Sequence, residues 1–438
     1  MKLNNKRTIL VGMAFLSICA FWQMYDSIIP LILQNSFGLG ETVTGVIMAM
    51  DNVLAIFLLP LFGSLSDKTD TRWGKRTPFI VCGTFLAVLF TILLPIADNS
   101  RNLILFVVSL FAVLVSMGIY RSPAVALMPD LTPNKLRSKA NAIINLMGTV
   151  GGVYALVMIK VLVGKEDTPN YMPLFLSLIL IMILAVLILV ITIPEKKTAA
   201  KVAEEIAAYE RENGLEPGST EAPVTENEEE VKTELPAEVK KSMIFLLASI
   251  FLWFTAYNAV TTAFSRYTKV VWGMKGGSFA DCLMVATVAA VISYIPIGII
   301  SSKIGRKKTI LGGIVLMSAC YFCAVFVGSY HPVINLAFAL IGVGWAAINV
   351  NSYPMIVEMS KGSDIGKFTG TYYTFSMAAQ IFTPIVSGML LEHISYRTLF
   401  PYATTFSVLA FFTMMMVKHG DAKPERKADV LENFDVED

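Results

Sequence analysis

The sequence predicts an all-α membrane protein in which twelve transmembrane helices form two pseudo-symmetric six-helix bundles. Of its 438 residues, 55% are apolar and 16% are charged, against roughly 45–50% and about 25% in soluble domains. The apolar residues recur in runs of about 20 positions, which is the length that crosses a bilayer core of roughly 30 Å. Lys and Arg concentrate in alternate loops, and the two halves of the chain share motifs. These observations exclude a soluble enzyme, a disordered chain and a secreted disulfide scaffold.

Twelve apolar runs are candidate membrane spans, and each is expected to be helical because lipid offers no hydrogen-bond partners to the backbone. The first six are predicted at residues 8–33, 41–63, 78–97, 102–127, 138–163 and 171–193. The last six are predicted at residues 242–265, 279–302, 309–329, 332–355, 367–391 and 397–417. The first run follows the basic start MKLNNKR, but no A-x-A cleavage site closes it, so we expect it to remain as a helix.

One long polar stretch divides the spans six and six. We therefore predict an N-terminal bundle at 1–193, a linker at 194–240, a C-terminal bundle at 241–419 and a tail at 420–438. The linker carries thirteen Glu, which is typical of a solvated tether. Its first part, KKTAAKVAEEIAAYEREN, is rich in Ala and Glu and is predicted to be helical on the inner membrane surface. A regulatory or partner-binding role for the linker is the alternative.

The distribution of basic residues predicts the orientation. One set of loops and termini holds 27 Lys and Arg, the opposite set holds 7, and Arg121 lies within a span. Because basic loops stay inside, both termini are expected in the cytoplasm, with the protein in the plasma (inner) membrane. The cluster Arg266, Lys269 and Lys275 is an anomaly, since it falls on the side predicted to be external.

The two halves repeat one pattern. Trp22, Tyr25 and Asp26 in span 1 correspond to Trp253, Tyr257 and Asn258 in span 7. The loops 2–3 and 8–9 both contain glycine followed by basic residues. Asp130 to Lys139 after span 4 matches Glu358 to Lys367 after span 10 at equal separation. Repeated six-helix halves are a transporter architecture in which the substrate site lies near the midplane.

These motifs carry a family resemblance. The 2–3 loop, with Gly63, Asp67, Arg72, Gly74, Lys75, Arg76 and Pro78, resembles that of the major facilitator superfamily. Its extended form is similar to that of the sucrose/proton symporters and the related glycoside–pentoside–hexuronide:cation symporters, as are the stretches 48–63 and 122–141. The resemblance implies the major facilitator fold, transport by alternating access and a small-molecule substrate, and we expect a monomer.

Two departures from those relatives bear on the coupling ion. The resemblance places the span 2 aspartates of the melibiose-permease branch at positions that hold Ala55 and Leu59 here. The mid-span 4 aspartate of plant sucrose carriers is also missing, because residues 102–127 contain none. Sodium coupling is therefore less favoured than proton coupling, and no cofactor or metal is expected.

Charged residues at membrane depth are candidates for coupling. The sequence offers Asp26, Asp51 and Arg121, whereas all three histidines fall at span ends or in the tail. A carboxylate is therefore expected to carry the proton, with Asp26 slightly favoured because it adjoins Trp22 and Tyr25. The alternative is a structural role for each Asp. Arg121 is either a charge partner or extends to the cytoplasmic face.

Three tryptophans near span midpoints predict a sugar site. Trp22, Trp253 and Trp345 lie in spans 1, 7 and 10, away from the interfaces that membrane tryptophans favour. A sugar needs flat aromatic rings for its C–H faces and polar groups for its hydroxyls. Candidates for the second task are Gln23, Tyr25, Asn52, Asn145, Tyr257, Asn258, Asn349 and Gln380. Helix packing is the alternative role for each tryptophan.

Charged loop residues predict a cytoplasmic gate. Exposed ion pairs contribute at most about 1 kcal/mol each. They can therefore shift the balance between a closed and an open cytoplasmic side without fixing the protein in either state. The candidates are Gly63, Asp67, Arg72, Gly74, Arg76, Asp130, Arg137, Glu358 and Lys367. The same charges also serve as a topology signal.

The function predicted from the sequence is proton-coupled symport of a di- or oligosaccharide or a glycoside. An efflux antiporter of amphipathic compounds is the first alternative, although its cavity should be mainly apolar. A sugar sensor without transport is the second.

An enzyme is not expected, since no nucleophile–base set or metal cluster appears, and the missing P-loop motif argues against ATP-driven transport by this chain. The near balance of 35 basic and 33 acidic residues argues against nucleic acid as a partner.

Overall fold

The computed structural model describes residues 3–166, 168–216, 235–360 and 365–421, with side chains in the last segment from residue 368 onward. Within these ranges, twelve helices are long and apolar enough to cross a membrane. This number confirms the prediction of an all-α protein with twelve spans.

The helices follow the predicted runs closely. The first six are α1 Asn5–Asn35, α2 Glu41–Asp67, α3 Thr77–Asn99, α4 Leu103–Asp130, α5 Arg137–Leu162 and α6 Met172–Thr192. Helix α7, Glu195–Glu212, lies in the predicted linker. The last six are α8 Ala237–Val271, α9 Ala280–Ile304, α10 Arg306–Val325, α11 Ile334–Met359, α12 Ile365–His393 and α13 Leu399–Met415. Short 3₁₀ turns at Asn134–Leu136 and Tyr396–Thr398 precede α5 and α13.

Local sequence signals define several helix ends. The Asn102 side chain accepts a hydrogen bond from the Leu105 backbone nitrogen at 3.0 Å and so caps the start of α4. Pro78 occupies the first turn of α3, where its missing N–H costs nothing. Gly305 ends α9 at φ +95°, a conformation that glycine adopts readily, and the chain enters α10 at the next residue.

The chain divides into two compact units. Unit 1 comprises Met1–Trp22, Val53–Ala155 and Asn170–Glu229. In it, α3 packs against α4 and α6. Gly83 permits the close approach of α3 to α4, because a Cβ atom there would lie 2.7 Å from the Tyr120 backbone nitrogen.

Unit 2 comprises Gln23–Asn52, Leu156–Pro169 and Glu230–Asp438. In it, α8 packs against α12 and α13, and α11 packs against α9 and α10. Gly342 lets α11 approach α9, because a Cβ atom there would lie 2.1 Å from the Ala286 carbonyl oxygen. The unit also holds the second part of α1, the first part of α2 and the end of α5.

Helix α7 is docked on unit 1. Its apolar side chains Val202 and Ile206 are each 4% exposed, and Glu205 forms an ion pair of 3.2 Å with Arg7 at the start of α1. The helix expected at the start of the polar stretch is therefore present, and it packs against the other helices of unit 1. Residues 217–234 of the predicted linker lie outside the described residues.

Candidate substrate and coupling site

Two carboxyl groups come together in unit 2. Asp26 on α1 and Asp51 on α2 are close enough for their charges to interact. One Asp51 oxygen, Oδ1, accepts hydrogen bonds from the backbone and side-chain nitrogens of Asn52 at 2.5 and 2.8 Å. Buried Tyr25 donates from its hydroxyl to the Met48 carbonyl at 3.5 Å and so links α1 to α2 beside the acids. Both acids thus lie in the membrane-spanning helices of one unit, and acids at this depth are typical of proton pathways.

Trp345 lies in an aromatic cluster of the same unit. The Tyr257 ring stacks on it with centroids 3.9 Å apart and an interplanar angle of 6°. The Phe254 ring meets it edge-on at 5.3 Å. One face of the Trp345 indole is therefore covered by Tyr257, and the pair presents a joint aromatic surface from α8 and α11.

The other predicted tryptophan of this unit, Trp253, has a different environment. Trp253 is fully buried, so a substrate would reach it only after a rearrangement. Neither its indole nitrogen nor the buried Nδ2 of Asn258 has a hydrogen-bond partner among the described residues. The Asn258 amide therefore has a donor left to offer to a ligand hydroxyl.

Other predicted amide side chains are distributed over both units. Asn349 on α11 is 2% exposed. Gln23 donates to the Ser27 hydroxyl at 3.2 Å, and Gln380 donates to the Ser376 carbonyl at 3.5 Å. Asn145, on α5, belongs to unit 1 and is half-buried.

In unit 1, Trp22 and Arg121 are neighbours. The guanidinium carbon of Arg121 on α4 lies 5.8 Å from the centre of the Trp22 ring on α1, a cation–π contact. Phe21 meets the same indole edge-on at 5.1 Å. Arg121 is half-buried and lies within the predicted fourth span.

Three of the predicted gate charges, Asp67, Arg76 and Asp130, meet where α2 and α4 end and α3 begins. Arg76, 5% exposed, forms ion pairs with Asp67 and, at 2.8 Å, with Asp130. Lys75 lies 3.2 Å from Asp130 as well. Burial disfavours the charged form of Arg76, but the hydrogen bonds and charges of Asp130 and then Asp67 outweigh it and raise its pKa. Arg76 also donates to the Gly63 carbonyl at 3.4 Å.

The remaining gate candidates have separate positions. Arg72 is exposed, and Arg137 donates to the Pro129 carbonyl at 3.2 Å. In unit 2, Glu358 forms an ion pair with Arg306, which repeats the pairing of Asp130 with Arg76. The side chain of Lys367 lies outside the described residues.

Glu195, at the start of α7, was not predicted from the sequence. Its carboxylate is buried and accepts backbone hydrogen bonds from Lys75, Arg76 and Thr77 at 2.8–3.1 Å. It also accepts from the Thr77 hydroxyl at 2.7 Å. Gly74 makes room for it at φ +115°, since a Cβ atom there would lie 2.2 Å from the Glu195 carboxyl carbon. The contact joins positions about 120 residues apart, and no local pattern signals it.

A buried ion pair at the other end of unit 2 explains the anomalous basic cluster. Arg266 on α8 lies 2.8 Å from Glu41 on α2, with side chains 6% and 2% exposed. Lys269 donates to the Asn35 side chain at 2.8 Å. Nearby, the Thr42 backbone nitrogen donates to Glu392 on α12 at 2.7 Å. Arg266 and Lys269 thus join the end of α1 and the start of α2 to α8.

Twelve membrane-spanning helices with charged groups held inside them define an integral membrane protein of the transporter type. The family model of the Major Facilitator Superfamily matches residues 11–293 and 272–433. The chain belongs to this superfamily, which is a family of transporters rather than of enzymes.

Known proteins resemble parts of the chain. The "Sucrose transport protein SUC3" of Arabidopsis thaliana is 21% identical over 151 residues, which cover 30% of this chain and 25% of that protein. The "Probable nitrate transporter NarT" of Staphylococcus aureus is 27% identical over 150 residues, covering 34% and 36%. The "Isoprimeverose transporter" of Lactiplantibacillus pentosus is 27% identical over 121 residues, covering 26% and 25%. The chain thus matches between a quarter and about a third of the length of these relatives.

Solved structures resemble nearly the whole chain. A POT family transporter in complex with 5-aminolevulinic acid has a TM-score of 0.69 at 13% identity, covering 94% of this chain and 95% of that one. A mutant of the nucleoside transporter NupG has a TM-score of 0.67 at 15% identity, covering 94% and 100%. At these identities the likeness shows the fold, and it confirms the predicted major facilitator architecture.

Proposed function

We propose that the protein is a secondary active transporter that imports a di- or oligosaccharide or a glycoside together with a proton. The observation that carries the coupling proposal is the juxtaposition of Asp26 and Asp51 within the membrane-spanning helices. Carboxyl groups inside the membrane-spanning part of a transporter are the usual carriers of a coupled proton. Proton rather than sodium is the proposed coupling ion.

The sugar proposal is supported by the stacked pair Tyr257 and Trp345. A saccharide ring presents apolar C–H faces, which pack on aromatic rings, and hydroxyls, which pair with amides. The donor of Asn258 is available for the second task. Two relatives are named for sugars, sucrose and isoprimeverose, which fits this substrate class.

Alternating access is the proposed mechanism. The pair of Glu41 with Arg266 holds helix ends together at the side predicted to be external. The pairs around Arg76 and Arg306 lie at the side predicted to be cytoplasmic. Exchange between closing one side and closing the other would carry a substrate across without an open channel. We further propose that the protein acts as a monomer in the plasma membrane with both termini cytoplasmic.

Uptake into proteoliposomes tests this function. The purified protein is reconstituted, and a panel of labelled mono-, di- and oligosaccharides is offered with and without an acidic external pH. We expect saturable uptake of one di- or oligosaccharide or glycoside that rises above equilibrium only with the pH gradient. Binding without uptake would instead indicate a sensor. Export of an amphipathic compound, with no saccharide transport, would indicate an efflux antiporter.

A further inference from the structure

Arg121 carries its charge into the membrane-spanning part of the bundle. Its contact at 5.8 Å is with Trp22, near the middle of α1. The Arg121 side chain therefore packs against α1.

Among the described residues, no carboxylate oxygen lies within ion-pair distance of Arg121, whereas Arg76, Arg266 and Arg306 each pair with an acid. A charge at membrane depth is costly unless it is paired or faces a water-filled cavity. The cation–π contact contributes only about 0.5–2 kcal/mol and leaves the hydrogen-bonding groups of the guanidinium unused.

The residues on either side of Arg121 hold the helix in place. The Tyr120 hydroxyl lies 2.6 Å from the Ser17 hydroxyl on α1, and the Ser122 hydroxyl donates to the Leu59 carbonyl on α2 at 2.8 Å. The backbone at Arg121 is thus fixed against two helices, while its own side chain makes no such bond. A rigid frame around one unsatisfied cation is the arrangement expected of a ligand-binding group.

We propose that Arg121 binds an anionic group, a carboxylate or a phosphate, on the transported saccharide, with the Trp22 ring beside it for an apolar part of the same molecule. The guanidinium fork matches both anions through paired hydrogen bonds. The ligand then supplies the counter-charge that the chain does not. This inference rests on the proposed function, since it names a subclass of the same substrate, and it assigns Arg121 to the substrate rather than to the proton.

Matched ligands test the proposal. Binding to the purified full-length protein is measured calorimetrically for a disaccharide, for its derivative with one hydroxymethyl group oxidised to a carboxylate, and for its phosphate ester. We expect one acidic form to bind at least about tenfold more tightly than the neutral sugar. Arg121→Gln should remove that advantage, and Arg121→Lys should restore part of it. Arg211→Gln, an exposed change on α7, is the matched control.

The outcomes separate this inference from the proposed function. If the neutral sugar binds as tightly as both acids, or Arg121→Gln weakens all three equally, the anion site is overturned while sugar binding stands. If no saccharide binds, nitrate and inorganic phosphate are tested. Binding of either that disappears in Arg121→Gln would support the anion site and reject the sugar. Absence of any Arg121-dependent binding would overturn the anion site.

Discussion

At the scale of single residues, depth in the membrane made some groups predictable. Asp26, Asp51 and Arg121 are identifiable from the sequence, because a charge within an apolar run stands out. Their partners are not identifiable. Nothing local indicates that Asp26 interacts with Asp51 or that Arg121 meets an indole, because each contact depends on the rotation of two helices about their axes.

The three tryptophans illustrate the same limit. Trp253 and Trp345 were equivalent candidates in the sequence, since both lie at span midpoints. In the structure, Trp253 is fully buried, whereas Trp345 is only partly buried and stacks on Tyr257. These helices are apolar on all sides, so periodicity does not reveal which face is turned inward.

Replacement of Trp345 tests the aromatic surface. Trp345→Ala should weaken sugar binding by roughly tenfold, because loss of an aromatic platform costs about 0.5–1.5 kcal/mol beyond the lost contact area. Tyr257→Ala should have a similar effect, since the two rings form one stack. Trp73→Ala, in an exposed loop position, is the control. Calorimetry on detergent-solubilised protein measures the affinities, and unchanged binding by Trp345→Ala would place the sugar elsewhere.

At the scale of helices, the sequence predicted where the spans lie more reliably than how their ends are connected. The apolar runs coincide with the twelve helices within a few residues, because hydropathy alone sets the length of a span. The role of α7 was missed. Its Ala- and Glu-rich composition predicted a helix on the inner membrane surface, and only the fold brings Glu195 to the start of α3.

Loss of the Glu195 carboxylate should destabilise unit 1. Glu195→Ala leaves the backbone nitrogens of Lys75, Arg76 and Thr77 without their shared acceptor. Removal of a helix cap costs about 0.5–2 kcal/mol, so the thermal midpoint in detergent should fall by a few degrees. Glu204→Ala, exposed on the same helix, is the control and should change the midpoint little. Equal midpoints for the two variants would show that this contact contributes nothing to stability.

At the scale of the whole molecule, basic residues indicate the orientation of the chain in the membrane, and some of them also form contacts between helices. The sequence alone does not show which basic residues have the second role. Most of them agree with one orientation, and the exceptions include Arg266 and Lys269. The structure explains these two by their partners Glu41 and Asn35. A long-range ion pair of this kind is invisible to any count of loop charges.

The orientation is tested by cysteine labelling. In a background without the native cysteines, Lys201→Cys on α7 and Lys275→Cys after α8 are both at exposed positions. A membrane-impermeant thiol reagent applied to intact cells should label position 275 and spare position 201. The reverse pattern would contradict cytoplasmic termini.

The Glu41–Arg266 pair should control access from the external side. Glu41→Gln leaves the charge of Arg266 buried without its partner, a loss that costs about 3–5 kcal/mol in buried pairs. We expect the helix ends to separate more often, so that a cysteine at buried Thr44 reacts at least tenfold faster with the impermeant reagent. Glu392→Gln, at an exposed position on α12, should cause a smaller change. Equal rates in Glu41→Gln and in the parent would contradict a gating role.

Proton coupling by the two carboxyl groups is the central claim, and the most direct measurement compares two modes of transport in one set of proteoliposomes. Accumulation of labelled sugar is driven by an acidic exterior, and exchange of internal for external sugar is followed without a pH gradient. An Asn residue mimics a permanently protonated Asp. Asp26→Asn or Asp51→Asn should therefore abolish accumulation and preserve exchange, because exchange needs no net proton movement. If both variants still concentrate sugar against its gradient, these carboxylates do not couple transport to protons.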